Sequence, residues 1–156
     1  RVTVGSQIHS TPEELRHVVE GTWQLIEWHV DGQVLRPPEM EGRWMVHDGL
    51  VMATRHRNGP KNFESTAGYG AYRWGPMTWT YGYERSEDLH GLSAEDVDLT
   101  VMESHPIEMS TFQITRDGDM LILDGERLRW EYDIPGETFL LTTSSGRPIR
   151  KYRKIR

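Results

Sequence analysis

The 156-residue chain has no cysteine, which excludes a disulfide framework and thiolate chemistry while leaving the compartment open. It also lacks any apolar run near the ~18–20 residues that a membrane-spanning helix requires. Its seven histidines are scattered, without the His-x-x-x-His or His-x-His spacing of a compact centre, so no metal is expected. Gly68-Tyr69-Gly70 is followed by neither a helix nor a Lys-Ser/Thr pair, which removes a phosphate loop. No nucleophile elbow frames a serine, and nothing calls for a cofactor. Phenylalanine is scarce at three, whereas Trp and Tyr number six each. Each such ring buries ~150–250 Å², so these side chains must either form the core or line a cavity.

Charge is uneven. The net value is −6, yet the segment from Arg147 to Arg156 carries six of the eighteen basic residues, leaving an acidic body that argues against a nucleic-acid partner. Ile149, Tyr152 and Ile155 interleave with those bases, as in a last strand with a solvated face. The length fits one domain, with residues 1–9 as an arm and 10–156 as the folded unit. The lack of a long apolar run makes a soluble protein the expectation; with Arg1 rather than Met first, it is expected to be cytoplasmic or exported after loss of a leader.

Thr11, Pro12 and Glu14 have capping-box spacing, with proline at the first helical position. Leu15, Val18 and Val19 supply an apolar face, and Gly21 ends a helix too short to stand alone. Beyond it, turn dipeptides recur: Asp31-Gly32, Asp48-Gly49, Asn58-Gly59, Asp117-Gly118, Asp124-Gly125, Pro135-Gly136 and Ser145-Gly146. They separate eleven strand-sized segments, the first opening at Gly21. Consecutive strands at this spacing predict an antiparallel meander, and closing it removes exposed edges. The fold class is therefore all-β: an up-and-down barrel with a short N-terminal helix. Glu84–Gly91, the most polar stretch, reads as a mobile loop between strands.

Gly21-Thr22-Trp23, placed after a short helix and ahead of an all-β remainder, resembles the Gly-x-Trp signature that opens lipocalin barrels. The span from Gly21 to about Tyr152 resembles the bacterial lipocalin-like domains. The resemblance implies that Trp23 packs at the closed end of the barrel beneath a basic side chain of the last strand, Arg150 or Arg153, by cation–π contact. The disulfide usual in lipocalins is absent.

Alternation along the first strand places Trp23, Leu25, Glu27 and His29 on one face and Ile26, Trp28 and Val30 on the other. Two arrangements compete. A bulge after Leu25 would turn Trp28 inward and Glu27 and His29 outward. Without one, Glu27 and His29 face a polar cavity, and Trp28 packs under the helix or against a partner chain. Glu103 and His105 repeat the Glu-x-His spacing, in which a carboxylate orients the imidazole and raises its basicity, as a general base requires. In Arg55-His56-Arg57 the arginines read as exposed, and His56, on the face of Met52 and Thr54, is a further acid/base candidate if that face is internal. Arg73, on the Tyr69 face, is a candidate carboxylate anchor.

Met77, Trp79, Tyr81 and Tyr83 share a face, as do Leu128, Trp130, Tyr132 and Ile134. Rows of Trp and Tyr suit a pocket wall, because each buried hydroxyl needs a partner. A barrel of around eight strands holds side chains or one small ligand. The expected function is binding of a small, largely apolar, aromatic or polycyclic molecule, with Trp28, Tyr69, Trp79, Tyr81, Tyr83, Trp130 and Tyr132 as the lining. The alternative is a cofactor-free cyclase, isomerase or lyase, in which Glu27, His29, His56, Glu103 or His105 moves protons. A homodimer, or a ligand-free interaction module using Trp28 and the basic tail, remains open. A cavity of ~300 Å³ or more, and the groups pointing into it, should discriminate.

Overall fold

A computed structural model describes residues 12–156, so the N-terminal arm and the Thr11 cap lie outside the described residues. Helix α1 (Pro12–Val19) precedes twelve strands: β1 (Gly21–Val30), β2 (Gln33–Leu35), β3 (Met40–His47), β4 (Leu50–Gly59), β5 (Asn62–Trp74), β6 (Thr78–Ser93), β7 (Asp96–Glu103), β8 (Ser110–Asp117), β9 (Met120–Asp124), β10 (Leu128–Asp133), β11 (Thr138–Thr143) and β12 (Pro148–Lys154). All eleven segments read from the sequence are strands; β2 is the addition.

Every ladder is antiparallel, and β12 returns to pair with β1. Ten strands close the ring rather than about eight, because the meander uses nearly every segment. The exceptions are β2, which lies on the far end of β1, and β7, which lies on the far half of β6. Alternation selects the inner face: Trp44 and Val46 on β3, Phe112 and Ile114 on β8, Trp130 and Tyr132 on β10, and Phe139 and Leu141 on β11 are all buried. The basic tail is indeed the last strand.

Two turns match their sequence signal in detail. Both residues of Asp31-Gly32 (φ 53° and 71°) and of Asp48-Gly49 (φ 51° and 81°) are left-handed, as a two-residue hairpin with the native twist demands. Asn58-Gly59 differs, staying in β4 while Pro60-Lys61 makes the turn.

The expected loop at Glu84–Gly91 is also corrected. These residues continue β6, pairing on one side with Phe63–Tyr69 of β5 and on the other with Val97–Glu103 of β7. Both faces of this extension are only partly covered, so polar residues suit it, and its backbone is satisfied by ladders on both edges.

Helix α1 closes one end. Leu15 and Val19 are buried, and the Val19 carbonyl accepts a hydrogen bond from Trp23 Nε1 at 3.1 Å. Glu20 accepts two more, from the Tyr72 hydroxyl and, at 3.2 Å, from Trp74 Nε1, tying the end of the helix to β5. Trp23 meets Tyr132 and Phe139 edge-on, with ring centroids 5.6 and 4.8 Å away. The cation over it is Lys154 at 5.5 Å, not Arg150 or Arg153. Lys154 is the residue opposite Trp23 in the β1–β12 register; Arg153 points outward, and Arg150 sits further along the barrel. Gly21 is required here. Its φ is 145°, and a Cβ would stand 2.5 Å from the Arg156 carbonyl oxygen and 2.6 Å from Lys154 Cε.

Candidate functional site

The phase of β1 is decided by a bulge. Its register against β12 slips between Leu25 and Glu27, so Trp23, Leu25 and Trp28 all point inward and are buried. A bulge places two residues opposite one and restarts the alternation. Of the two arrangements open in the sequence, this is the first.

Beyond the closed end the interior holds a cavity of about 260 Å³, just below the ~300–1,000 Å³ of typical ligand pockets. Trp44, Tyr81, Tyr83, Trp130 and Tyr152 form its aromatic wall, with Ala53, Leu128 and Leu141 between them. Trp44, Tyr81 and Trp130 box one side, with centroids 5.3–5.8 Å apart and near-perpendicular contacts of Tyr81 to both indoles. Gly68 leaves space for Tyr83, whose ring lies 3.1 Å from where a Cβ would sit. Thr66, Ser86 and Met102 border the mouth.

The wall also carries two cations. Arg55 and Arg150 both line the cavity. The Nε atoms of both guanidiniums are buried without a hydrogen-bond partner, as are Nε1 of Trp44 and of Trp130. Burial, and secondarily the charge of Arg55, push Arg150 below its ordinary value, while the neighbouring Tyr152 hydroxyl acts in the opposite sense and hydrogen-bonds to it. Guanidinium nevertheless keeps its proton in proteins. Burial likewise raises the phenols of Tyr81 and Tyr83, so the lining presents neutral hydroxyls and fixed positive charge.

The exposed-arginine reading of Arg55-His56-Arg57 is reversed. Val51 and Ala53 share their inward face with Arg55 and Arg57. Arg57 covers the Trp28 ring at 5.2 Å and bonds Glu64 at 3.0 Å. It is a structural cation with a carboxylate partner; Arg55 has none among the described residues.

Comparison of the chain with family models, curated proteins and solved structures finds no match. The site therefore stands on its own geometry.

Of the lining expected from the sequence, Tyr81, Tyr83 and Trp130 border the cavity. Trp79 and Tyr132 are fully buried in the aromatic packing toward the closed end, and Trp28 lies in the core beneath Arg57. Tyr69 is on the outer face, 44% exposed, since unbroken alternation along β5 gives the inner face to Gly68, Gly70 and Tyr72; the bulge beside it lies in β6, where Glu84 is the extra residue. Arg73, on the same outer face, is exposed too.

The acid/base candidates are all outside. Glu27 and His29 meet at 3.2 Å, with Arg36 3.5 Å from the other carboxylate oxygen, on a half-covered outer patch. His56 packs against Phe63 across the β4–β5 hairpin. Glu103 and His105 are 3.8 Å apart and mostly exposed, at 54% and 62%. None lines the cavity, and among the described residues no histidine, aspartate or glutamate does. Among the described residues, no three His, Asp or Glu side chains gather as a metal site would require.

Arg55, Arg150, Trp44 and Tyr152 were missed as lining. Arg55 carries a signal, since it shares a face with Val51 and Ala53. Arg150 carries its own, two residues before Tyr152 on an apolar-spaced strand.

Proposed function

We propose that the protein binds a small, largely apolar, aromatic molecule inside the barrel, in the manner of the lipocalin-like domains its Gly-Thr-Trp opening resembles. The observation that carries the reading is the cavity between Trp44, Tyr81, Tyr83 and Trp130, whose wall contains buried polar atoms with no hydrogen-bond partner among the described residues. Interiors are close-packed and buried polar groups are normally satisfied. A cavity bordered by four buried N–H donors suits a guest that brings acceptor atoms to an aromatic box.

Binding is favoured over proton-transfer catalysis by the composition of the wall. Its ionisable groups are arginines, which keep their proton, and phenols, of which Tyr81 and Tyr83 are held protonated by burial, and the Glu-x-His pairs stand on the outer surface. The interaction-module reading loses its motivating features, because Trp28 is core and the basic tail is β12.

The test is quenching of tryptophan fluorescence by 1-naphthamide, a neutral two-ring probe. Saturable quenching at one site per chain is expected, and it should vanish in Ala53→Phe, which fills the cavity, and in Leu128→Trp, which narrows its mouth. Unchanged quenching in both folded variants would place the probe elsewhere and end the reading.

A further inference from the structure

Resting on the cavity reading, we infer that the guest is an anion: an aromatic carboxylate whose head lies between Arg55 and Arg150 while its ring system stacks in the Trp44–Tyr81–Trp130 box. The two guanidiniums reach one cavity from different walls, Arg55 from β4 and Arg150 from β12. Two strands, β1 and β3, separate them around the ring. The β3 residue opposite Arg55 is Gly42, which adds no side chain between them.

Like charges buried together without a counter-ion are costly, and natural interiors pair them. Arg57 obeys that rule with Glu64 and Asp31, and Lys154 is held by the His17 carbonyl and the Trp23 ring. Arg55 and Arg150 face a void; Arg150 hydrogen-bonds the Tyr152 hydroxyl, yet neither forms an ion pair among the described residues. The protein as a whole is acidic, at −6, so this positive interior is a local feature and not spill-over from a basic surface.

The chemistry of the head follows from the donors. A guanidinium fork matches a planar carboxylate bidentately, and the raised phenols of Tyr81 and Tyr83 remain hydrogen-bond donors at neutral pH. The limited volume favours two fused rings over a long chain, and the aromatic walls favour a flat one.

The test compares three probes with one ring system, 1-naphthoate, 1-naphthamide and 1-naphthyl phosphate, by calorimetry on the full chain. Naphthoate should bind about tenfold or more tighter than naphthamide, the least that one charge-assisted hydrogen bond returns. Arg55→Met and Arg150→Met should each collapse that ratio toward one, Arg150→Lys should restore part of it, and Arg153→Met, on the outer face, should leave it as it was. Thermal melts establish that each variant is folded. Equal affinity for naphthoate and naphthamide, with both lost in Ala53→Phe, would overturn the anion while the cavity stands. Tighter binding of the phosphate than of the carboxylate would overturn the choice of head. Failure of all three probes to bind would overturn the cavity reading and the anion with it.

Discussion

Around Trp23 and Trp79, at the end covered by α1, aromatic rings meet one another; around Tyr83 and Arg150, toward the other end, they meet open space. The residue types are nearly the same in both halves. In the closed half, Trp79 is fully buried, stacked on Tyr81 at 4.9 Å and close to Phe112 and Trp130, and the cation there is bound over an indole. In the open half the rings form walls and the cations form no ion pair among the described residues. The difference is one of closure: α1 and the Trp23 cluster fill the taper at one end, while β6 and β7 extend past the ring at the other and leave its mouth uncovered. Aromatic content alone therefore marks neither core nor pocket.

That contrast can be broken experimentally. The largest effect should come from Trp79→Ala, expected to cost ~3–5 kcal/mol by leaving a large hole in packed rings, measured by urea denaturation. Tyr83→Ala, which borders space already empty, should cost much less; equal costs would erase the distinction between the halves.

A second large effect should come from alkaline pH. Burial, and then the hydrogen bond to Glu20, raise the Tyr72 phenol from 10.0 to about 12. The folded state holds this proton more tightly than the unfolded chain does. Its contribution is complete below the unfolded value and is lost as pH rises through the folded one. The urea midpoint should therefore fall between pH 10 and 12, and fall less steeply in Tyr72→Phe.

Gly21→Ala comes next. It forces a left-handed, crowded backbone position to carry a Cβ and should cost ~1–3 kcal/mol, read as a drop in melting temperature.

The smallest effects should have opposite signs at the two ends of β12. Lys154→Met removes a cation from the Trp23 ring and should destabilise by ~0.5–1 kcal/mol. Arg150→Met removes an unpaired buried charge and should leave stability unchanged or raise it. Matching losses in both melts would mean that Arg150 is as well compensated as Lys154.

Much of the architecture is legible along the chain because it is written in local chemistry. Alternating residues, Asp-Gly turns and a short amphipathic segment before Gly-Thr-Trp each act over a few residues, and together they determined an antiparallel meander opened by a short helix. The polar run at Glu84–Gly91 misled because its strand is held by neighbours on both edges, a non-local support that no window reveals. The site is harder for the same reason. A one-residue bulge after Leu25 on β1 and another at Glu84 on β6 change which side chains face inward along those strands, and the register against distant strands sets both.

So the sequence by itself determined that a barrel forms and where β1 begins, since period-two patterning and turn residues need no distant partner. Only the tertiary structure decided that Trp28 is core, that Glu27 and His29 lie outside, that Lys154 covers Trp23, and that Arg55 and Arg150 share a cavity. Facing direction in a strand flips with a single residue of slip, and that slip is set by pairing across the closed ring.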